Sequence, residues 1–387
     1  MSSPQLQLPL GVPSSASSAA IDPMWWHGSF NARESGMHQL APYVGKMKSA
    51  MARALILAYS GEGDTVLDPF CGSGVVPFEA LLLGREAIGN DLNPYAHVLT
   101  MAKLTAPQGL RDALSRASDY VQEAQATADG LCLDAVPKWV REFFHPQTLR
   151  ETVAVFGLLR QRGEYFFQAC ILGILHHVRP GFLSYPASHL VPYLRTKLYP
   201  PEKFPQMYAY RDLKSRFLAK VRRAYRRYSP PDTRLHWRVL QENAMHLSIP
   251  GGSVDAIVSS PPYFGALDYG RDNRLRLWFL GVEDYKTVEA ELTSNDRVYV
   301  PQMTRAVEEM HRVLRIGGAA VLVLGDYHRN GRRAHSADTI AGIARRHLAD
   351  RLVVDEIFDD EVPDQRRSRR RTRTTLQERV LVLRKME

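Results

Sequence analysis

Residues 64–104 limit the fold more than any other stretch of the chain. "DTVLDPFCGSG" (64–74) passes from a short apolar strand into a turn with glycines at 72 and 74. "VVPFEALLLG" (75–84) follows with apolar residues at helical spacing and stops at Gly84, suited to the left-handed position after a helix. "EAIGNDLN" (86–93) reads as a second strand ending in acid, and "PYAHVLTMAKL" (94–104) as a second helix with Pro94 in its first turn. Strand, helix, strand, helix at this spacing opens a doubly wound α/β sheet.

The turn carries chemistry as well as topology. Glycines at 72 and 74 let backbone approach a ligand closely. The spacing is G-x-G without the third glycine of the dinucleotide fingerprint, and no G-x-x-x-x-G-K-[ST] loop is present. Asp91, at the tip of the second strand, sits beside the first turn in such a sheet and can accept hydrogen bonds from ribose hydroxyls. A cradle and a ribose acid without phosphate-binding residues suit an adenosine that carries no phosphates, and S-adenosylmethionine is such a ligand. An inert tight turn is the bland reading of the glycines alone.

Beyond residue 105 the pattern changes. "LRDALSRASDYVQEAQATA", "PKWVREFF", "TLRETVAVFGLLRQR", "GEYFFQACILGILHHV" and "FPQMYAYRDLKSRFLAKVRRAYRRY" all read as helices, interrupted by the Pro- and Tyr-rich loop 179–205. Strands resume with "LHWRVLQEN", "VDAIVSS", "AAVLVLGD", "RLVVDEIF" and "RVLVLRK"; the helix before the third is expected to end at Gly317 and Gly318. The expected organisation is a disordered leader (1–24), one α/β catalytic domain (25–105 plus 235–387) and a helical insertion (106–234). The leader has no basic segment before its apolar patch, which argues against a secretory signal.

The 387 residues carry a formal net charge of +9, and an anionic partner such as nucleic acid fits that balance. The excess is clustered: residues 211–228 hold eight Lys or Arg among Phe217, Tyr225 and Tyr228, and residues 366–373 hold six Arg. Phosphate-contacting surfaces are expected there, with Arg222, Arg223, Arg226, Arg227, Arg369 and Arg370 as the contacts; solvated faces are the bland alternative. Cys71, Cys132 and Cys170 form neither a disulfide framework nor a metal motif, are expected to be buried bystanders, and suit a reducing cytoplasm. No apolar run reaches the roughly 18 residues that cross a bilayer. No metal site is expected, and His176 and His177, in an apolar helix, read as core or cap rather than as ligands.

"VLDPFCGSG…EALLLGREAIGNDLNP", followed by "SPPY" at 260–263, resembles the S-adenosylmethionine-dependent amino-methyltransferases, whose catalytic signature is (S/N/D)-P-P-(Y/F). "HQLAPYVGKMKSAMARALILAYSGEGD" (38–64) is similar to the segment that closes over the methionine end of the cofactor in DNA members. The resemblance covers everything except the leader and the insertion. It implies a Rossmann-like methyltransferase sheet, S-adenosylmethionine as cofactor, and Asp68, Phe70, Gly72, Gly74, Asp91 and Asn243 as cofactor-binding residues. Asn243 stands where an acid is commoner, and Glu242 could serve instead. The catalytic residues carried over are Ser260, Pro261, Pro262 and Tyr263.

An exocyclic base amine is a poor nucleophile because its lone pair is delocalised into the ring. Two rigid acceptors for its hydrogens draw the nitrogen towards tetrahedral geometry: the Ser260 hydroxyl oxygen and the Pro261 carbonyl. Tyr263 offers a face on which a flipped base stacks. Methylation at a ring carbon would need a thiolate on this loop, and the loop has no cysteine. Serine at the first motif position resembles the site-specific cytosine-N4 enzymes, whose partners are double-stranded DNA and a cognate restriction endonuclease. Adenine-N6 methylation is the alternative, followed by RNA guanine-N2 methylation. An idle nucleic-acid-binding protein on the same fold is the reading from another class. The insertion is the expected target-recognition region, although it precedes "HWRVLQEN" rather than the catalytic motif.

Overall fold

The computed structural model describes residues 26, 34–262, 269–291, 296–329, 332–361 and 377–387. Its centre is one sheet of eight strands: β1 (Thr65–Asp68), β2 (Glu86–Asn90), β3 (Trp237–Leu240), β4 (Val254–Ser259), β5 (Leu314–Arg329), β6 (Arg332–His335), β7 (Leu352–Glu361) and β8 (Gln377–Lys385). The order is β3-β2-β1-β4-β5-β8-β7, with β6 hairpinned onto β5. The strands from β3 to β5 are parallel neighbours, and β8 runs antiparallel between β5 and β7. This is the doubly wound sheet expected. The chain winds one way from β1 to β3 and the other way from β4 to β5, so the direction switches between β1 and β4. A crevice opens at that point beyond the carboxyl ends of the strands.

Alternation along the strands fills both faces. Val66, Val258, Val321, Val323, Val380 and Val382 pack on one face against α1 (Ser49–Tyr59) and α2 (Val75–Leu82). Leu67, Ile257, Leu322, Leu324, Leu381 and Leu383 pack on the other against α9 (Asp296–Val313) and α10 (Ser336–His347). Each such side chain, wholly buried, contributes about 1.5–3 kcal/mol relative to exposure.

A third core lies against α3 (Pro94–Leu104), whose N-cap Asn93 accepts from the Tyr95 N–H at 2.9 Å. It is built by α4 (Leu110–Gly130), α5 (Pro146–Gln161), α6 (Tyr165–Leu172), α7 (Leu213–Ala224) and α8 (Tyr269–Phe279), joined by Met37 and Leu40. The helix that follows the catalytic motif in sequence therefore shares its core with the insertion.

Several local expectations differ from the structure. The helix expected over 163–178 ends at Leu172, and at Gly173, which follows it, a side chain would meet the Leu40 carbonyl at 1.9 Å. His176 lies beyond it, buried, with Nδ1 2.8 Å from the Ser188 carbonyl. The helix expected over 204–228 is a 3-10 turn, Pro205–Met207, and then α7, started by Asp212 accepting from the Ser215 N–H at 2.7 Å. "PKWVREFF" holds one helical turn, Lys138–Arg141. The helix before β5 stops at Val313, and Gly317 and Gly318 fall inside β5, where the pairing with β4 shifts register between Val254 and Ala256. Cys71 and Cys170 are buried, whereas Cys132 is exposed.

Candidate functional site

One cavity opens at the crevice between the ends of β1 and β4. Its wall includes Asp68, Phe70, Cys71, Gly72, Asp91, Glu242, Asn243, Ser260 and Pro262. Residues far apart in sequence, from the glycine turn, the end of β3 and the catalytic motif, thus face one space. Tyr263 lies outside the described residues, as do Arg369 and Arg370.

The turn after β1 needs its glycines. Gly72 and Gly74 have φ of +49° and +71°, a region costly for other residues. A side chain on Gly72 would meet the Tyr43 ring at 2.9 Å, and one on Gly74 would meet Thr100 at 2.7 Å. The Gly72 N–H donates to Asp91 Oδ2 at 2.9 Å, and the Asn93 N–H donates to Asp91 Oδ1 at 2.9 Å. One carboxylate therefore organises both the cradle and the start of α3.

Three contacts that sequence reasoning missed tie the strand ends together. The buried Asn90 amide donates to the Pro69 and Glu242 carbonyls at 3.1 and 3.0 Å and accepts from the Glu242 N–H at 2.9 Å, linking the ends of β1, β2 and β3. Ser259, the last residue of β4, donates to Asp68 Oδ1 at 2.6 Å. Tyr299 of α9, buried at the cavity wall, donates to the Pro262 carbonyl at 3.2 Å. A polar residue closing an apolar run, as Asn90 does in "EAIGN", was the available signal for the first; the other two are tertiary contacts with no local signature.

The electrostatics follow from burial. Asp68 is pushed up to about 7 by its surroundings, against hydrogen bonds from Ser259 and the Phe70 N–H, and with Asp91 adding to the rise. Asp91 is pushed up to about 6 by burial, against its two backbone donors. Burial raises the Cys71 thiol well above its ordinary range, and its sulfur sits 3.3 Å from Thr100 Oγ1. Beneath the turn, the buried Lys103 ammonium donates to the Ser73 carbonyl and is lowered to about 7 by burial.

Two buried acids that hold protons in the folded state make stability depend on pH in a set direction. Between about pH 4 and 7 the folded protein binds more protons at Asp68 and Asp91 than the unfolded chain does. Their contribution is full below the unfolded value and is lost as pH rises through about 6 and 7. Without cofactor, the parent is expected to lose stability relative to an Asp68→Asn/Asp91→Asn variant as pH goes from 4 to 7. Thermal unfolding of both across that range checks it, and parallel curves would contradict it.

The arrangement fits S-adenosylmethionine. Two carboxylates could meet its hydroxyl and amine groups, a glycine turn admits close backbone approach, and Phe70, Met245 and Met303 add apolar wall. The Glu242 carboxylate is engaged by Ser248, accepting from its N–H at 2.8 Å and its hydroxyl at 2.6 Å, and Asn243 Oδ1 accepts from the Met245 N–H at 3.0 Å. From the 38–64 segment, Tyr43, Gly45, Lys46 and Met47 reach the cavity.

The basic stretch 211–228 is divided by its folding. Arg211 and Lys220 are buried and donate to backbone carbonyls of Phe182 and Gln39 at 3.0 and 2.7 Å. Phe217 is wholly buried, and the Tyr225 hydroxyl donates to the Pro107 carbonyl at 2.7 Å. None of Arg222, Arg223, Arg226 and Arg227 lines the cavity. Arg222, Arg226 and Arg227 are exposed.

Residues 15–102 match the model of the family described as DNA methylase. The chain is 23% identical over 283 residues to the Type II methyltransferase M.BsoBI of Geobacillus stearothermophilus, covering 66% of this chain and 55% of that protein. A tRNA (guanine(10)-N2)-dimethyltransferase of Methanocaldococcus jannaschii is 50% identical over 52 residues, 13% of this chain and 15% of that one. The chain thus spans about half the length, or less, of these curated relatives. Among solved structures, a SAM-dependent methyltransferase from Methanosarcina mazei aligns with a TM-score of 0.37 and 13% identity, over 86% of this chain and 97% of that one.

Proposed function

We propose that this chain, as an S-adenosylmethionine-dependent amino-methyltransferase, methylates the exocyclic N4 amine of a cytosine flipped out of duplex DNA. The observation that carries the reading is that Ser260 and the proline turn share one cavity with Asp68 and Asp91. Acceptors for an amine thus stand across from the residues that suit an adenosyl ligand.

Asp91 and the Gly72–Gly74 backbone would hold the ribose side of the cofactor, and Asp68 its methionine side. When bound, the cofactor supplies an electrophilic methyl group. The chain's own work is to present the amine. Ser260 Oγ and the Pro261 carbonyl accept its two hydrogens, aiming the nitrogen lone pair across the cavity. The turn that carries these acceptors is held from two sides, by Ser259 on Asp68 and by Tyr299 on the Pro262 carbonyl. Tyr263 is assigned the stacking face for the extruded base. A methylated exocyclic amine bearing an extra proton is a strong acid and loses that proton without a dedicated base. Cys71 takes no nucleophilic part in this scheme, since burial keeps its thiol protonated.

The exposed Arg222, Arg226 and Arg227 are assigned to phosphate contacts, with Arg223, Arg369 and Arg370 in the same role. The serine in the first motif position favours cytosine over adenine. The tRNA enzyme among the relatives favours a second reading, guanine-N2 methylation of RNA. Nucleoside analysis of DNA and RNA from cells expressing the chain separates them: N4-methylcytosine in DNA is expected, and N6-methyladenine or N2-methylguanine as sole product overturns the assignment.

A further inference from the structure

The longest stretch of the chain without a carboxylate lies within the insertion. No Asp or Glu occurs between Glu164 and Glu202, while Arg179, Arg195, Lys197 and three histidines do. Ala187 and Leu194 form an antiparallel bridge, and the Ser188 N–H donates to the Tyr193 carbonyl at 2.9 Å, so residues 187–194 close as a small hairpin. At its tip His189 and Tyr193 are exposed, Tyr193 by 50%.

The hairpin is fastened to the helix that follows the catalytic turn. Arg274 of α8 donates to the Pro192 carbonyl at 2.7 Å. Two residues along α8 the buried Arg276 guanidinium lies 5.6 Å over the Tyr95 ring, and Tyr95 packs 5.9 Å from Tyr43, which lines the cavity. Tyr95 opens α3, at the carboxyl end of β2. This chain of contacts joins the hairpin to the wall of the cavity that Ser260 lines.

Arg179 and Arg195 are the cations gathered here, around two imidazoles that stay neutral beside them. His177 and His189 have ring centroids 4.7 Å apart. His177 is driven down to about 4 by burial, and then by His189, Arg179 and Arg195; His189 is lowered by burial, Arg276 and Arg179. Asp272 of the neighbouring α8 is paired with Arg271 at 3.8 Å. Like charges held together on an exposed rim destabilise one another until an anion arrives, and a polyphosphate backbone supplies one on release of its counterions.

We propose that the hairpin 187–194, with Arg179 and Arg195 at its base, grips the phosphate backbone of duplex DNA flanking the base delivered to Ser260. This rests on the DNA reading given above, which also selects duplex DNA over RNA as the occupant. Each cation that neutralises one phosphate adds about 0.9 to the slope of log binding constant against log salt.

The test is a fluorescence-anisotropy titration of duplex DNA at several salt concentrations, with Arg179→Gln/Arg195→Gln, the parent, and Arg345→Gln/Arg346→Gln. The last pair removes the same charge from the exposed end of α10, on the opposite side of the sheet from α1 and α2. Calorimetry with S-adenosylmethionine confirms that each variant is folded. The hairpin pair is expected to bind at least tenfold more weakly and to flatten the slope by roughly two; the α10 pair should keep the parental slope. An unchanged slope in the hairpin pair, or equal flattening in both pairs, overturns the proposal. Methyl transfer by the parent, measured on duplex and on transfer RNA alongside, separates the two failures. A parent that methylates duplex with the hairpin pair unaffected sinks the surface alone. A parent active on RNA and inert on duplex overturns the DNA reading and the duplex assignment with it.

Discussion

Replacing Ser260 with alanine is expected to slow methyl transfer by roughly 10²-fold or more, the effect of removing one preorganised hydrogen-bonding group from a reacting centre. The loss should fall on the chemical step. The backbone of the turn is fixed by two prolines, by the Ser259 hydroxyl on Asp68 at 2.6 Å and by the Tyr299 hydroxyl on the Pro262 carbonyl at 3.2 Å. None of these contacts uses the Ser260 side chain, so fold and cofactor affinity should survive. Cys71→Ser makes the complementary test. The thiol is buried against Thr100 and raised by that burial, and serine can keep the contact with Thr100 Oγ1. That variant should retain much of the activity, because direct transfer to an amine needs no covalent enzyme–base adduct. Single-turnover rates on both variants decide the matter. Abolished transfer in a folded, cofactor-binding Cys71→Ser protein, with Ser260→Ala nearly silent, would rule out the direct mechanism.

The parts of this site that could be read from sequence are those with a local physical cause. Positive φ at Gly72 and Gly74 requires glycine, and Asn93 before Pro94 is a helix start that needs no tertiary partner. The alternating valines and leucines of β5 and β8 likewise announce strands covered on both faces. What stayed hidden depends on distant neighbours. The residues Asn90 links to the end of β3 lie 152 positions away, and Asp68 lies 191 positions from Ser259. Neither pairing leaves a trace in the residues around it.

The basic stretch 211–228 is a subtler case, since counting its charges treats them as one face. On a 3.6-residue period Phe217, Lys220, Val221 and Ala224 fall on the buried side of α7. Lys220 then spends its ammonium on a backbone carbonyl. The hairpin at 187–194 hid for the opposite reason. It holds no Lys or Arg itself, and only the fold brings Arg179 and Arg195 to its base.

Replacing Asp91 with alanine should weaken S-adenosylmethionine binding by about 1.5–3 kcal/mol, the loss of charge-assisted hydrogen bonds to the ribose. In dissociation constant that is a rise of roughly 10- to 150-fold. The carboxylate also accepts from the Gly72 and Asn93 N–H groups, so its removal loosens the cradle as well as the ribose contact. Asp91→Asn separates the two roles, because the amide oxygen can still serve one backbone donor while the charge is gone. The parent should show a pH dependence that Asp91→Asn lacks in part. Asp91 is raised to about 6 in the empty protein, and a carboxylate must ionise to accept two hydroxyl hydrogens, so parental affinity should fall as pH drops through 6. Asp68, raised to about 7, leaves a residual dependence in the variant. DNA affinity should be untouched in both variants, since Asp91 faces the cavity rather than the basic rim. Calorimetry at pH 5.5 and 7.5 reads all of this at once, and an Asp91→Ala protein with parental cofactor affinity would remove Asp91 from the ribose.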